Sequence, residues 1–103
     1  MIQVKLHQLG RAKFVLLRDE DKNYILRSDK NVELHKEIVA KHRSEINKKV
    51  DCLGGGRIEI TEDEIYAYGL SQDFGVPNND LVQLILLENS NGKSVKVEMG
   101  VGY

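Results

Sequence analysis

"CLGGGRIEI", residues 52–60, carries three consecutive glycines, Gly54, Gly55 and Gly56, into an alternating apolar segment. A run of this kind can cradle a phosphate with backbone amides, or it can let a strand bend or pack closely against a neighbour. A nucleotide P-loop ends in Gly-Lys-Ser/Thr, where the lysine and hydroxyl serve the phosphates and their metal. Here the run ends in Arg57 and Ile58. The glycines are therefore read as scaffold at the threshold of a strand, with phosphate contacts drawn from elsewhere. On that reading Gly55→Ala lowers stability more than it alters turnover of the folded fraction.

Working outward, "RIEI" and "EIYAYGL" joined by the acidic "TED" read as a β-hairpin, and "KFVLLR" and "NYILR" flanking "DEDK" read as another. "VKVEMGV" alternates, which puts Val95, Val97, Met99 and Val101 on one face of a half-buried strand. "IQVKL" is a short further strand. Helical period replaces alternation in "VELHKEIVAKHRSEINKKV", where Leu34, Ile38, His42 and Ile46 recur every four residues and Val39 and Val50 widen the stripe. Glu37, Lys41, Glu45 and Lys49 would form a solvated ladder of i,i+4 pairs along its outer face. A second, more apolar helix spans "NNDLVQLILLEN", with Asn78 or Asn79 as its N-cap and the following "NG" closing it. The order is β-ββ-α-ββ-α-β. The expected fold class is α+β, a mixed sheet of about six strands with two packed helices, as a single domain over residues 1–103.

The 103 residues include 41% hydrophobic side chains, enough for one ordinary globular core. Charge is balanced, with 15 Lys and Arg against 16 Asp and Glu, so no overall field would gather nucleic acid or an anionic membrane. Cys52 is the single cysteine, which excludes an internal disulfide and any cysteine cluster for zinc. The start, "MIQVKLHQLGRAK", lacks the apolar core of a signal peptide or membrane span. A cytoplasmic monomer is expected.

Three histidines, His7, His35 and His42, are the groups that titrate near neutral pH unaided. His35 and His42 are separated by about 10 Å along a helix axis and cannot share a metal ion. His35 falls at the first turn, where the helix dipole disfavours an imidazolium and N–H groups such as that of Lys36 are unpaired. A neutral imidazole beside free amide donors is a general base beside an anion site. "YGLSQDFG", residues 68–75, is a strand-to-helix loop offering Ser71 between Gly69 and Gly75, and Lys13 is a cation at the start of an apolar strand.

Together these residues resemble the protein histidine phosphatases of the Janus/Ocnus family. "CLGGGRI" followed by "YGLSQDFG" is similar to that family's most specific pair of motifs, and "KFVLLR", "ILR", "ELHKEI" and the terminal "GY" keep its order and spacing over Gly10 to Tyr103. The resemblance implies a phosphatase that needs no metal or other cofactor and removes phosphate from nitrogen, chiefly from phosphohistidine in proteins or peptides. It implies His35 as catalytic proton acceptor and Lys13 as substrate-binding lysine. Lys36 would contribute its backbone N–H, and Ser71, Gln72 and Asp73 would hold the phosphoryl oxygens through a hydroxyl and main-chain amides. Arg27 and Arg57 take supporting roles near or behind the site.

Such a site suits phosphoryl transfer, which asks mainly for positioning and charge stabilisation. His35 would activate water, or attack phosphorus itself as a nucleophile. No second general acid is evident in the sequence. Two positions depart from the family pattern: Asp73 stands where a small residue is usual, and Asn79 where a histidine is common. A carboxylate directed at the phosphoryl group would repel it, so the Asp73 side chain is expected to turn away or the site to be altered. The alternative implied by these departures is a phosphoprotein-binding module of the same fold without turnover. Phospholysine is the alternative substrate.

Overall fold

The computed structural model describes residues 2–102. Its elements run β1 (Ile2–Lys5), β2 (Gly10–Asp19), β3 (Tyr24–Asp29), α1 (His35–Ile46), β4 (Val50–Ile60), β5 (Glu64–Gly69), α2 (Asn79–Glu88) and β6 (Ser94–Met99). This is the α+β order read from the sequence. The strands form one mixed sheet in the spatial order β1-β3-β2-β4-β5-β6. The four inner strands pair antiparallel, while β1 joins β3 and β6 joins β5 in parallel.

Parallel neighbours cannot be joined by a tight turn, and α2 makes the crossover from β5 to β6. β3 and β4 lie on either side of β2 and run the same way, so α1 links them by passing over β2. The helices cover opposite faces. Phe14 and Leu16 of β2 join Ile58, Ile60 and Ala67 beneath Val82, Ile85 and Leu86 of α2. Val15 and Leu17 join Ile25 and Val50 beneath Ile38 and Val39 of α1. Covered on both sides, the middle of β2 reads as an unbroken apolar run, and each large side chain buried there stabilises the fold by about 1.5–3 kcal/mol.

Three boundaries differ from expectation. Helix α1 stops at Ile46 because Asn47 takes the left-handed conformation, φ 51°, and donates its N–H back to Arg43 O. Val50, read as part of the helical stripe, instead opens β4, and the glycine run lies inside that strand rather than at its threshold. Strand β6 ends at Met99, since Gly100 turns at φ 85° and leaves Val101 exposed. For α2, Asn78 is the cap, its Oδ1 accepting from Leu81 N, and Asn79 Oδ1 accepts from Met99 N of β6. The "NG" pair forms the turn beyond α2, with Asn91 at φ 52° and Gly92 at φ 85°.

The charged face of α1 makes no i,i+4 ladder. Lys41 reaches Asp29 at 3.1 Å, and Glu45 reaches Arg27 at 2.8 Å and Lys5 at 3.5 Å, so the helix is pinned to the sheet through its charges. Glu37 folds back to accept from Glu33 N and Leu34 N.

Candidate active site

The glycine run is where the site is assembled. Strand β4 bulges here: Leu16 pairs with Gly54 but Leu17 with Cys52, which leaves Leu53 as the extra residue. Gly54 sits at φ 140°, and the backbone of Val76 and Pro77 occupies the place that a Cβ on it would need. Gly55 faces the other way, towards α1. A Cβ on it would stand 2.6 Å from Phe14 O, 2.8 Å from His35 Cδ2 and 3.3 Å from Ser71 Cβ. The missing side chain is thus the space that lets the His35 ring and the Ser71 loop meet over the sheet.

His35 is the first residue of α1 and is 8% exposed. Its Nε2 lies 2.9 Å from Gly56 O. A carbonyl can only accept, so Nε2 carries the proton and Nδ1 keeps a bare lone pair. Among the described residues Nδ1 has no hydrogen-bond partner, and it is not sealed from solvent. Burial pushes the ring's pKa down from the usual histidine value; the Gly56 bond opposes this, Lys13 and then Arg57 lower it further, and Asp73 offsets part of that. His35 is therefore a neutral imidazole at neutral pH.

The ring opens onto a cleft of about 250 Å³ walled by Lys13, Glu33, Leu34, His35, Arg57, Leu70, Gln72 and Asp73. Lys13 of β2 and Arg57 of β4 are directly opposite in the antiparallel register. Like charges in that position destabilise a sheet unless an anion lies between or above them. At the helix start, Leu34 occupies the N-cap without any side-chain bond. A Ser, Thr, Asp or Asn there would have satisfied the first amides itself. Instead the N–H groups of His35 and Lys36 have no partner among the described residues, and the same is true of Gln72 and Asp73.

The loop after β5 is held by a pair of bonds between Ser71 and Gly75, 3.2 and 2.8 Å, and Gly75 O accepts from Gly55 N at 3.2 Å. Gly75 thereby continues the pairing of β4 beyond the end of β5.

The structure brings Lys13, His35, Arg57, Gln72 and Asp73 to one cleft. Lys36 is exposed beside it and offers its main chain. Ser71 stands one layer behind, 1% exposed, its Oγ accepting from Phe74 N at 3.2 Å. Asp73 is exposed and is one of the residues lining the cleft, and its charge acts on the His35 ring. Arg27 is elsewhere: its guanidinium grips both oxygens of Glu45 at 2.8 and 2.9 Å and lies 3.0 Å from His42 Nδ1. It ties β3 to α1 and does not reach the cleft. Glu33, Leu34 and Leu70 are wall residues that sequence reasoning did not single out. The "ELH" spacing around His35 was the available signal for the first two.

A larger hollow of about 430 Å³ lies between the β1–β2 turn and the end of α2. Its one histidine, His7, has both ring nitrogens engaged, with Ser28 Oγ and Gly10 O at 2.7 Å each, so no free base faces it. Among the described residues no three His, Cys, Asp or Glu side chains converge as a metal centre requires, and no helix is long and apolar enough to cross a membrane.

A search of curated proteins finds no match to the chain. The family model described as Janus/Ocnus family (Ocnus) matches residues 1–94. That span takes in the glycine strand, the His35 helix start and the Ser71 loop; the terminal "GY" lies beyond it, and Tyr103 is outside the described residues. By that match over most of its length, the chain belongs to the Janus/Ocnus family.

Proposed function

We propose that this chain is a metal-independent phosphatase that hydrolyses the P–N bond of phosphohistidine in proteins, acting as a single, monomeric domain. The observation that carries the reading is the bare His35 Nδ1 at the wall of a cleft where Lys13 and Arg57 oppose each other and, among the described residues, neither makes an ion pair. A phosphoryl group supplies the missing anion. Its oxygens take the Lys13 ammonium, the Arg57 guanidinium and the free N–H groups of Lys36, Gln72 and Asp73. The Ser71 hydroxyl, buried behind the cleft wall, accepts from Phe74 N and so braces the loop that carries the Gln72 and Asp73 amides.

In the reaction, His35 Nδ1 takes a proton from water as the water oxygen bonds to phosphorus. The P–N electron pair withdraws onto the leaving ring nitrogen. A substrate imidazole protonated on its other nitrogen departs neutral, so no acid need act on the scissile nitrogen. The imidazolium of His35, destabilised by Lys13 and Arg57, returns its proton to solvent. A base in this position is worth about 10²–10⁴-fold.

The test is phosphate release from a phosphohistidine peptide in the presence of EDTA. Wild type should release phosphate and His35→Asn should not. Equal release by both proteins would make His35 structural. Binding of the peptide by wild type without release would favour the rival reading, a phosphoprotein-binding module, for which the presence of Asp73 among the residues lining the cleft is the supporting observation.

A further inference from the structure

Past the wall formed by Lys13 and Arg57 the surface continues into a second hollow, of about 200 Å³, bounded also by Arg11, Asp29 and Lys30. Lys13 and Arg57 line both hollows, so the second lies directly beside the cleft. Its charge is one-sided. The carboxylate Asp29 is 10% exposed and already engaged by Lys41 Nζ at 3.1 Å and Asn31 N at 2.8 Å. The Asn31 amide and Lys41 hold it below the usual carboxylate range, so it remains an anion committed to those partners.

Lys30, an exposed residue, donates to a neutral acceptor, Leu9 O at 3.0 Å, and makes no ion pair among the described residues. Arg11 engages Glu59 through Nε at 2.7 Å, while its side chain is 70% exposed and its remaining N–H groups are free among the described residues. The whole chain carries a net charge of −1, so this cationic excess is local. Neither Lys30 nor Arg11 belongs to the buried core, and both line the hollow beside the cleft.

We propose that this hollow receives an acidic side chain of the substrate, adjacent in sequence to the phosphohistidine, and so selects phosphohistidine flanked by Asp or Glu. The proposal rests on the phosphatase reading above for the cleft itself. Its size suits one side chain rather than an extended polyanion. Solvent-exposed ion pairs of this kind alter encounter and KM more than the chemical step.

Two peptides that differ only in Glu or Gln beside the phosphohistidine provide the test, at low ionic strength. Wild type should favour the Glu peptide by about three- to tenfold in kcat/KM, mostly through KM. Lys30→Glu should abolish that preference, and Arg11→Gln reduce it, with turnover of the Gln peptide and of phosphoramidate unchanged. Equal kcat/KM for the two peptides in wild type, or a preference that survives Lys30→Glu, overturns the proposal. Should neither peptide be hydrolysed, the phosphatase reading fails by itself. The hollow is then judged by Kd for the same pair carrying a non-hydrolysable phosphonate analogue. A Glu preference removed by Lys30→Glu upholds it, and the lack of any preference refutes it.

Discussion

Gly55→Ala is the change that couples the fold to the site. The added methyl carbon would meet Phe14 O at 2.6 Å and His35 Cδ2 at 2.8 Å, both inside normal contact. The carbonyl belongs to the neighbouring strand and can yield only by prising β2 from β4, whose registered pairing runs the length of both strands. Overpacking of this sort costs about 1–3 kcal/mol. For a domain of this size that lowers Tm by roughly 5–20 °C. The imidazole must also retreat by roughly 0.6–1 Å to regain ordinary contact, and it is held by its bond to Gly56 O.

Misplacing a catalytic base by about 1 Å costs on the order of 10²-fold in rate. The sequence alone suggested a loss of stability with little kinetic effect; the ring packed on Gly55 adds a kinetic loss in the folded fraction. Thermal melts and kcat for phosphohistidine peptide, measured well below the variant's Tm, read the two effects separately. A variant with wild-type Tm and wild-type kcat would refute the placement of His35 over this glycine.

Other outcomes follow from the same geometry. His35 and His42 are both held below the usual histidine value, chiefly by burial, so the unfolded chain binds protons first; stability is fully present above about pH 6.5 and declines as pH falls below it. Urea midpoints should drop between pH 7.5 and 5, and His42→Gln should flatten part of that drop. Glu45 is held down to about 2, first by its bond to Arg27, so its contribution is lost as pH falls from its unfolded value near 4.5 towards 2. Arg27→Ala should lower Tm while leaving kcat of the folded fraction intact, because the guanidinium serves Glu45 and His42 rather than the cleft. Asp73→Ala should keep or raise kcat/KM, since a carboxylate about 4 Å from a phosphoryl group repels it by roughly 4 kcal/mol at an effective dielectric of 20; a large loss would give Asp73 a positive role. Rapid-quench labelling with radioactive phosphohistidine should leave no phosphoryl group on His35, whereas an acid-labile label turning over at the rate of hydrolysis would make the histidine a nucleophile.

Local signals in the sequence were legible because local physics made them. The two hairpins announced themselves by apolar runs around polar turns, and α1 by its four-residue period. Strand β4 was half hidden: Val50 continued the helical stripe, and only the left-handed Asn47 ends it. The sheet order, with parallel partners at both edges, depends on contacts far apart in sequence that no local pattern records. So does the cleft. Lys13 looked like an edge cation and Arg57 like background support until the register set them opposite each other. The charges of α1 were read along the helix, whereas Asp29, Arg27 and Lys5 of the sheet were their partners.

The protonation of the His35 ring in solution tests the account most directly. Long-range proton–nitrogen NMR spectra through a pH titration should show Nε2 protonated and Nδ1 bare at pH 7, with a midpoint below 6.5 that moves upward in Lys13→Gln as a depressing cation is removed. A ring already charged at neutral pH, or one carrying its proton on Nδ1, would contradict it.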